Sequence, residues 1–138
     1  MEKIISRDKQ LTGLAGEFFV AAELAKRNFQ VALTIGNAKS IDLFATNQET
    51  GKIFEIEVKA LGTKPNSFTL PINCLQKNKI FIFVYLNGYD VQPDFYILKG
   101  VEIIKDMHHF YGASITTDRQ TINYGPLKVH RSAWTKLG

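Results

Sequence analysis

The stretch Ile53-Phe54-Glu55-Ile56-Glu57-Val58-Lys59-Ala60 alternates between two kinds of side chain, a pattern typical of a β-strand. Because successive side chains of a strand point to opposite faces, every second residue from Phe54 to Ala60 shares one apolar face. Glu57 and Lys59 are neighbours on the other face, two residues apart. A carboxylate and an ammonium placed together on a predicted strand make this segment the first candidate for a functional site.

A second carboxylate precedes this strand by one predicted hairpin. The segment Ser40–Ala45 reads as a strand, the turn cluster Asn47–Gly51 follows it, and Asp42 stands between two apolar neighbours. Pairing across the hairpin can bring Asp42 close to Glu57. Two carboxylates within reach of each other repel unless a cation lies between them, and magnesium prefers such oxygen ligands. Lys59 beside the pair can orient an attacking water or stabilise charge that builds up on a phosphate.

A helix is predicted from about Leu11 to Arg27, or from a start nearer Asp8, and it carries a further carboxylate. At about 100° per residue, the side chains nearest to Glu17 in direction are Leu14, Val20, Ala21 and Leu24. A carboxylate inside an apolar stripe is costly unless it is paired or binds a metal. The alternative is that Glu17 lies at the edge of the helix and reaches water.

The remaining pattern predicts alternating helices and strands. The resulting architecture is a central mixed β-sheet flanked by helices, an α/β or α+β fold. The further predicted elements are strands at Phe29–Ile35, Ile80–Leu86 and Phe95–Leu98, helices at Ile72–Lys79 and Val101–His109, and a tail with Trp134 as an anchor.

Composition is that of an ordinary globular protein of one domain, spanning residues 1–138. Cys74 is the single cysteine, so no intrachain disulfide can form. The N-terminus lacks the apolar run of a signal peptide, and the longest apolar run, Ile80 to Leu86, is too short to span a bilayer. We therefore expect a cytoplasmic protein that does not associate with membranes.

The formal net charge of +4 arises entirely in the C-terminal segment 119–138, which has four basic residues and no acidic one. A local basic excess favours polyanions such as nucleic acid. We therefore predict that Lys128, Arg131 and Lys136 bind nucleic acid, although a solvated tail would show the same composition.

Taken together, these residues resemble the PD-(D/E)xK nucleases, the restriction-endonuclease-like superfamily. The resemblance rests on Gly16-Glu17 in an early alanine-rich helix, on Ile41-Asp42-Leu43 in one strand and on Glu57-Val58-Lys59 in the next. It covers roughly residues 11–98, and the tail has no counterpart. The proline that often precedes the motif's aspartate is replaced here by Ile41.

The resemblance implies a restriction-endonuclease-like fold and a metal-dependent endonuclease that hydrolyses DNA. Asp42, Glu57 and the backbone carbonyl of Val58 would bind Mg²⁺, for which Mn²⁺ can substitute. Lys59 would assist the water, and Glu17 would support the metal. Restriction, homing, junction-resolving and repair enzymes all fit this pattern. Because cutting both strands of a duplex usually needs two sites, a homodimer or larger homo-oligomer is expected.

Other interpretations are weaker or belong to another class. His109, Asn123 and His130 loosely match a His-Asn-His nuclease, but the residues that usually surround such a site are missing. Cys74 has no evident histidine partner, and no glycine-rich phosphate loop is present. The main alternative is a non-catalytic nucleic-acid-binding or assembly module on the same fold.

Overall fold

The computed structural model describes residues 8–34 and 41–138. The helices are α1 Lys9–Lys26, α2 Gly100–Lys105, α3 Met107–Tyr111 and α4 Tyr124–Leu127. The strands are β1 Phe29–Leu33, β2 Leu43–Asn47, β3 Ile53–Leu61, β4 Phe68–Thr69, β5 Lys79–Tyr85, β6 Asp94–Lys99 and β7 Thr121–Ile122. Short 3₁₀ turns cover Ile72–Cys74, Gly112–Thr116, Lys128–His130 and Trp134–Leu137.

Five strands form the central sheet in the order β1-β2-β3-β5-β6. β3 lies in the middle, antiparallel to β2 and parallel to β5, while β5 and β6 are antiparallel. β4 and β7 form a separate two-stranded antiparallel ribbon. The predicted mixed sheet with flanking helices is therefore confirmed, and so is the β2–β3 hairpin.

The two faces of the sheet bury two separate cores. One core packs α1 and the tail against residues such as Ile56 and Ile82. The other packs α2, α3 and the ribbon against residues such as Phe81 and Phe83. β5 is buried along its whole length, as expected for a strand that is covered on both faces.

Helix α1 begins at the earlier of the two predicted positions. The side chain of Asp8 accepts hydrogen bonds from the backbone N–H groups of Gln10 and Leu11, which satisfies two donors of the first turn. The helix ends before Asn28, whose positive φ of 70° cannot continue a right-handed helix.

Two predicted helices differ from the observed structure. The segment Ile72–Lys79 forms only a 3₁₀ turn over Ile72–Cys74, and Lys79 is the first residue of β5. The backbone of Lys79 pairs with β3, and this long-range pairing overrides the local helical preference. The predicted helix Val101–His109 is two helices, because Asp106 has φ −141° and ψ 46° and interrupts it.

Two strand boundaries also shift. The first strand, predicted to end at Ile35, is Phe29–Leu33, and Ile35 lies outside the described residues. The second strand, predicted from Ser40, begins at Leu43, and Ser40 itself lies outside the described residues.

The C-terminal segment folds back onto the sheet. Trp134 is buried and packs against Phe95, with ring centroids 5.5 Å apart, while the Cζ of Arg27, the residue that caps the end of α1, lies 4.6 Å from the centroid of the indole. Leu137 joins the same core. The predicted role of Trp134 as an anchor is confirmed.

None of the helices within residues 8–34 and 41–138 combines the length and the hydropathy needed to cross a bilayer.

Gly16 sets the distance between α1 and β3. A Cβ atom added to Gly16 would lie 2.6 Å from the Cβ of Ala60, so the helix packs directly on the strand at this point. Glu17 follows immediately in the chain, and its position relative to β3 depends on this contact.

We expect Gly16→Ala to destabilise the fold by about 1–3 kcal/mol, because the added methyl group forces α1 away from β3. Gly13 is the matched control: it lies in the same helix, and an added Cβ meets no atom within 4 Å. Gly13→Ala should therefore stabilise the protein by about 0.5–1 kcal/mol through helix propensity. Urea unfolding of both variants measures the difference, and equal effects of the same sign would contradict the close contact.

Candidate active site

Asp42 stands just before β2 and is fixed by the backbone of β3. Its N–H donates to the carbonyl of Ile56 at 2.9 Å, and its carboxylate Oδ2 accepts from the N–H of Val58 at 2.7 Å. The register that pairs Leu43 with Ile56 sets Asp42 opposite Glu57 one step further along. The hairpin thus brings the two carboxylates of the sequence motif together.

Glu57 is a buried carboxylate, 5% exposed, that is held between two ammonium groups. Its Oε2 lies 3.0 Å from the Nζ of Lys59, and its Oε1 accepts a hydrogen bond of 3.2 Å from the Nζ of Lys79. A buried charge is tolerated only when it is paired and hydrogen-bonded. Each oxygen of Glu57 has such a partner.

The two lysines differ in freedom. The side chain of Lys59 is 34% exposed, whereas that of Lys79 is 1% exposed and lies 5.6 Å from the ring centroid of Phe81. The ammonium of Lys59 is therefore accessible to solvent, whereas that of Lys79 is enclosed with Glu57. Lys79 acts on Glu57 as a positioning residue.

Sequence reasoning did not identify Lys79, which it assigned to the end of a helix. The signal that was available is its place immediately before the apolar run Ile80–Leu86. A lysine at the start of a fully buried strand needs an acidic partner, and in the parallel pairing of β3 and β5 the acidic partner is Glu57.

Glu17 lies on α1, close enough to Asp42 for the two carboxylates to interact. Burial and, to a smaller extent, the charge of Asp42 raise the pKa of Glu17. Burial also raises the pKa of Asp42, and the charge of Glu57 adds to this, although the Val58 hydrogen bond and the charges of Lys59 and Lys79 oppose it. The three carboxylates predicted from sequence therefore interact electrostatically. Within the predicted apolar stripe, Val20 and Leu24 are buried but Leu14 is exposed, so Glu17 lies at the margin of the buried face.

The donor set fits a hard divalent cation. Mg²⁺ is typically held by one or two carboxylates with water completing its shell, and Asp42 and Glu57 supply two. Burial, and after it the charge of Glu57, raises the pKa of Asp42, and a bound cation would oppose both effects by stabilising the charged form. Within the described ranges, no three His, Cys, Asp or Glu side chains are already grouped as a metal cluster. The residues thus fit one ion bound by two carboxylates.

The three tail cations predicted to bind nucleic acid have different surroundings. Lys136 is half-buried, and its Nζ donates to the carbonyl of Ile97 at 2.8 Å and to Glu102 at 2.9 Å. Arg131 is exposed but pairs with Asp94 at 2.8 Å. Lys128 is exposed, and its Nζ lies 5.2 Å from the ring centroid of Tyr124. A role of these three side chains in nucleic-acid binding stays a prediction.

The alternative histidine site has an unfavourable electrostatic setting. The Nδ1 of His130 lies 2.8 Å from the ammonium of Lys136, and burial together with that charge lowers the pKa of His130. The side-chain Oδ1 of Asn123 accepts from the hydroxyl of Ser67 at 3.2 Å. A fixed ammonium against the ring opposes binding of a divalent cation there.

Two of the solved structures that are similar to this chain are DNA-processing enzymes. The bacterial homing endonuclease I-Ssp6803I aligns with a TM-score of 0.61 and 15% identity over 96% of this chain and 92% of its own. Hjc, a Holliday junction resolvase from the hyperthermophilic archaeon Archaeoglobus fulgidus, aligns with a TM-score of 0.55 and 14% identity over 88% of this chain and 99% of its own. No protein-family model and no curated protein sequence matches the chain.

Both neighbours have the restriction-endonuclease-like fold, and the present chain shares that fold. The fold predicted from the resemblance is therefore confirmed. At 15% and 14% identity, the likeness concerns the fold alone.

We expect Lys79→Met to destabilise the protein by about 3 kcal/mol, because it removes one partner of a buried ion pair. In a Glu57→Gln background the same change should cost less by about 1 kcal/mol or more, since no full charge is left unpaired. Lys77→Met is the matched control, and it should stay within about 0.5 kcal/mol because Lys77 is exposed. Denaturant unfolding of the four proteins of the cycle measures the coupling, and additive effects would contradict the pairing.

Proposed function

We propose that this protein is a metal-dependent endonuclease that hydrolyses phosphodiester bonds of DNA. The observation that carries the proposal is the Asp42–Glu57 pair in a nuclease-type fold, with the Nζ of Lys59 3.0 Å from the Oε2 of Glu57. The structural neighbours are a homing endonuclease and a Holliday junction resolvase, and both names are compatible with such chemistry. Restriction and repair activities are compatible with it as well.

In this proposal Asp42, Glu57 and the backbone carbonyl of Val58 hold Mg²⁺, and Glu17 supports the site. The bound ion supplies positive charge that polarises the phosphate and helps to activate water. Val58 N–H fixes the orientation of Asp42, and Lys79 fixes that of Glu57. The carboxylates are therefore preorganised before any ion arrives.

Lys59 has a different task because an ammonium cannot be a ligand of a cation. It has three N–H donors and no acceptor, and it is exposed enough to reach a substrate. During hydrolysis a water oxygen attacks phosphorus while the bond to the leaving sugar oxygen breaks. Lys59 orients the water or donates to the phosphate oxygens on which negative charge increases.

We also propose that the protein works as a homodimer or a larger homo-oligomer. Cutting both strands of a duplex usually needs two sites, and a two-fold interface is self-complementary. On α1 the side chains of Leu11, Leu14 and Phe18 form one exposed apolar stripe, with exposed fractions of 63%, 45% and 52%. In the proposed dimer, this apolar stripe packs against the same apolar stripe of a second copy. A sedimentation series that shows only monomer would contradict this.

The purified protein should cleave DNA with Mg²⁺ or Mn²⁺ and stop when a chelator is added, because the proposed reaction depends on the ion that polarises the phosphate and helps to activate water. Plasmid, linear, single-stranded and branched DNA form the substrate panel. Glu17→Gln should shift the metal concentration that gives half-maximal cleavage. Binding of these substrates without any cleavage in either metal would instead support the non-catalytic binding module.

Lys59→Ala should reduce the cleavage rate by roughly a hundredfold or more, the scale for loss of one electrostatic donor in the transition state. DNA affinity measured in Ca²⁺ should change far less than the rate. Lys52→Ala removes an exposed lysine at the opposite end of the same hairpin and serves as the control. A folded Lys59→Ala protein that cleaves at the wild-type rate would remove Lys59 from the active site.

A further inference from the structure

A cleft of about 520 Å³ opens next to Lys59. Three parts of the chain form its walls: the first residues of α1, the end of β3 with the loop that follows it, and the segment that carries Arg119. Its described lining residues are Lys9, Thr12, Lys59, Ala60, Leu61, Gly62, Thr63, Asn66, Ser67, Phe68, Thr69 and Arg119. Lys59 thus belongs both to the carboxylate site and to the cleft.

The charge of the cleft has one sign. Its described lining includes three cations, Lys9, Lys59 and Arg119, and no carboxylate. These cations come from three separate regions of the sequence and meet only in the folded chain. Such a concentration of positive charge in a concave surface attracts a polyanion more strongly than cations scattered over a convex surface.

The other polar lining groups are hydroxyls and the amide of Asn66, mainly in the segment from Thr63 to Thr69, which runs from the loop after β3 into β4. Arg119 is held toward β4, because its Nε and Nη2 lie 3.2 and 3.1 Å from the Oγ1 of Thr69. Guanidinium and ammonium groups carry donors only, and phosphate oxygens are acceptors only. The chemistry of the lining therefore matches a phosphate backbone.

The cleft offers little for reading bases. Phe68 is the single aromatic side chain in the described lining, and it is 1% exposed because it packs against Phe83 and Tyr85. Stacking on a base needs an exposed ring face, and base edges in the major groove are read by a protruding helix or ribbon. A concave basic cleft instead contacts the sugar-phosphate chain.

We infer that this cleft binds the phosphodiester backbone of one DNA strand, with Lys9 and Arg119 holding phosphates next to the one that Lys59 meets. The inference rests on the proposed nuclease function and deepens it. It assigns the main backbone contact to the cleft on the active-site side of the sheet, and the contact is independent of base sequence. Lys9 and Arg119 are substrate-binding residues outside the sequence motif.

The test measures binding of a fluorescein-labelled DNA duplex by anisotropy in Ca²⁺ over a series of salt concentrations. Lys9→Gln and Arg119→Gln should each weaken binding of unrelated sequences alike. Each should also reduce the slope of log K against log salt by about one, because one phosphate contact is lost. Lys26→Gln is the matched control: it removes the same charge from the other end of α1 and should leave the slope unchanged.

The second pair of variants introduces a negative charge, whereas the first set removes a positive one. Thr63→Glu places a carboxylate on an exposed loop position of the cleft, and Thr50→Glu places one in the exposed turn at the far end of the β2–β3 hairpin. Thr63→Glu should weaken DNA binding strongly by repelling phosphate, and Thr50→Glu should not. Both positions are exposed, and the Oγ1 of each threonine accepts one local hydrogen bond, from Lys52 N–H at Thr50 and from Asn66 Nδ2 at Thr63. The denaturant midpoint of each variant is therefore measured beside its DNA affinity, and binding is compared between folded proteins.

The outcomes separate this inference from the proposed function. If the wild-type protein cleaves DNA and all cleft variants bind with wild-type affinity and slope, the cleft assignment is wrong and the nuclease function stands. If the cleft variants lose binding while the wild-type protein cleaves none of the substrates, the cleft assignment stands and the nuclease function fails. A wild-type protein that binds no DNA overturns both.

Discussion

The buried carboxylate of Glu57 is the constraint around which the centre of the molecule is organised. A charge that is 5% exposed must be compensated inside the fold, and two ammonium groups do this, one at each oxygen. Lys59 lies on the same strand as Glu57, and Lys79 lies on β5, which pairs with that strand in parallel. The register of β3 and β5 is therefore fixed by an ion pair as well as by the apolar side chains on both faces.

A site in the middle of a sheet constrains the packing of the neighbouring elements, and the packing of α1 on β3 is an example. The helix contacts β3 at Gly16, where a larger residue would collide with Ala60. This close approach brings Glu17 near Asp42, and burial together with the charge of Asp42 raises the pKa of Glu17, while burial together with the charge of Glu57 raises the pKa of Asp42. The carboxylates are thus held near one another by the backbone geometry of the helix and the hairpin. Their repulsion is the feature that favours a bound cation.

Positive charge in the sequence and positive charge in the folded molecule are distributed differently. The sequence places its excess in the tail, yet Lys136 and Arg131 pair with Glu102 and Asp94. Such pairs reduce the local field that a polyanion would meet. The cleft beside Lys59 has three cations and no carboxylate among its described lining residues. The stronger case for nucleic-acid contact therefore moves from Lys128, Arg131 and Lys136 to this cleft, to which the basic segment contributes Arg119.

The sequence by itself determined the parts that depend on neighbours along the chain. Alternation predicted β3 and its two faces, periodicity predicted α1, and the hairpin predicted that Asp42 meets Glu57. Tertiary structure decided the rest. Lys79 meets Glu57 across 22 positions, Lys136 meets Glu102 across 34, and Arg119 meets Thr69 across 50. The β4–β7 ribbon is equally non-local. Local patterns record which face of an element is apolar, but they do not record which distant element covers it. The partner of a buried charge and the residues that line a cleft are therefore determined only by the tertiary structure, in which the strands pair in a defined register.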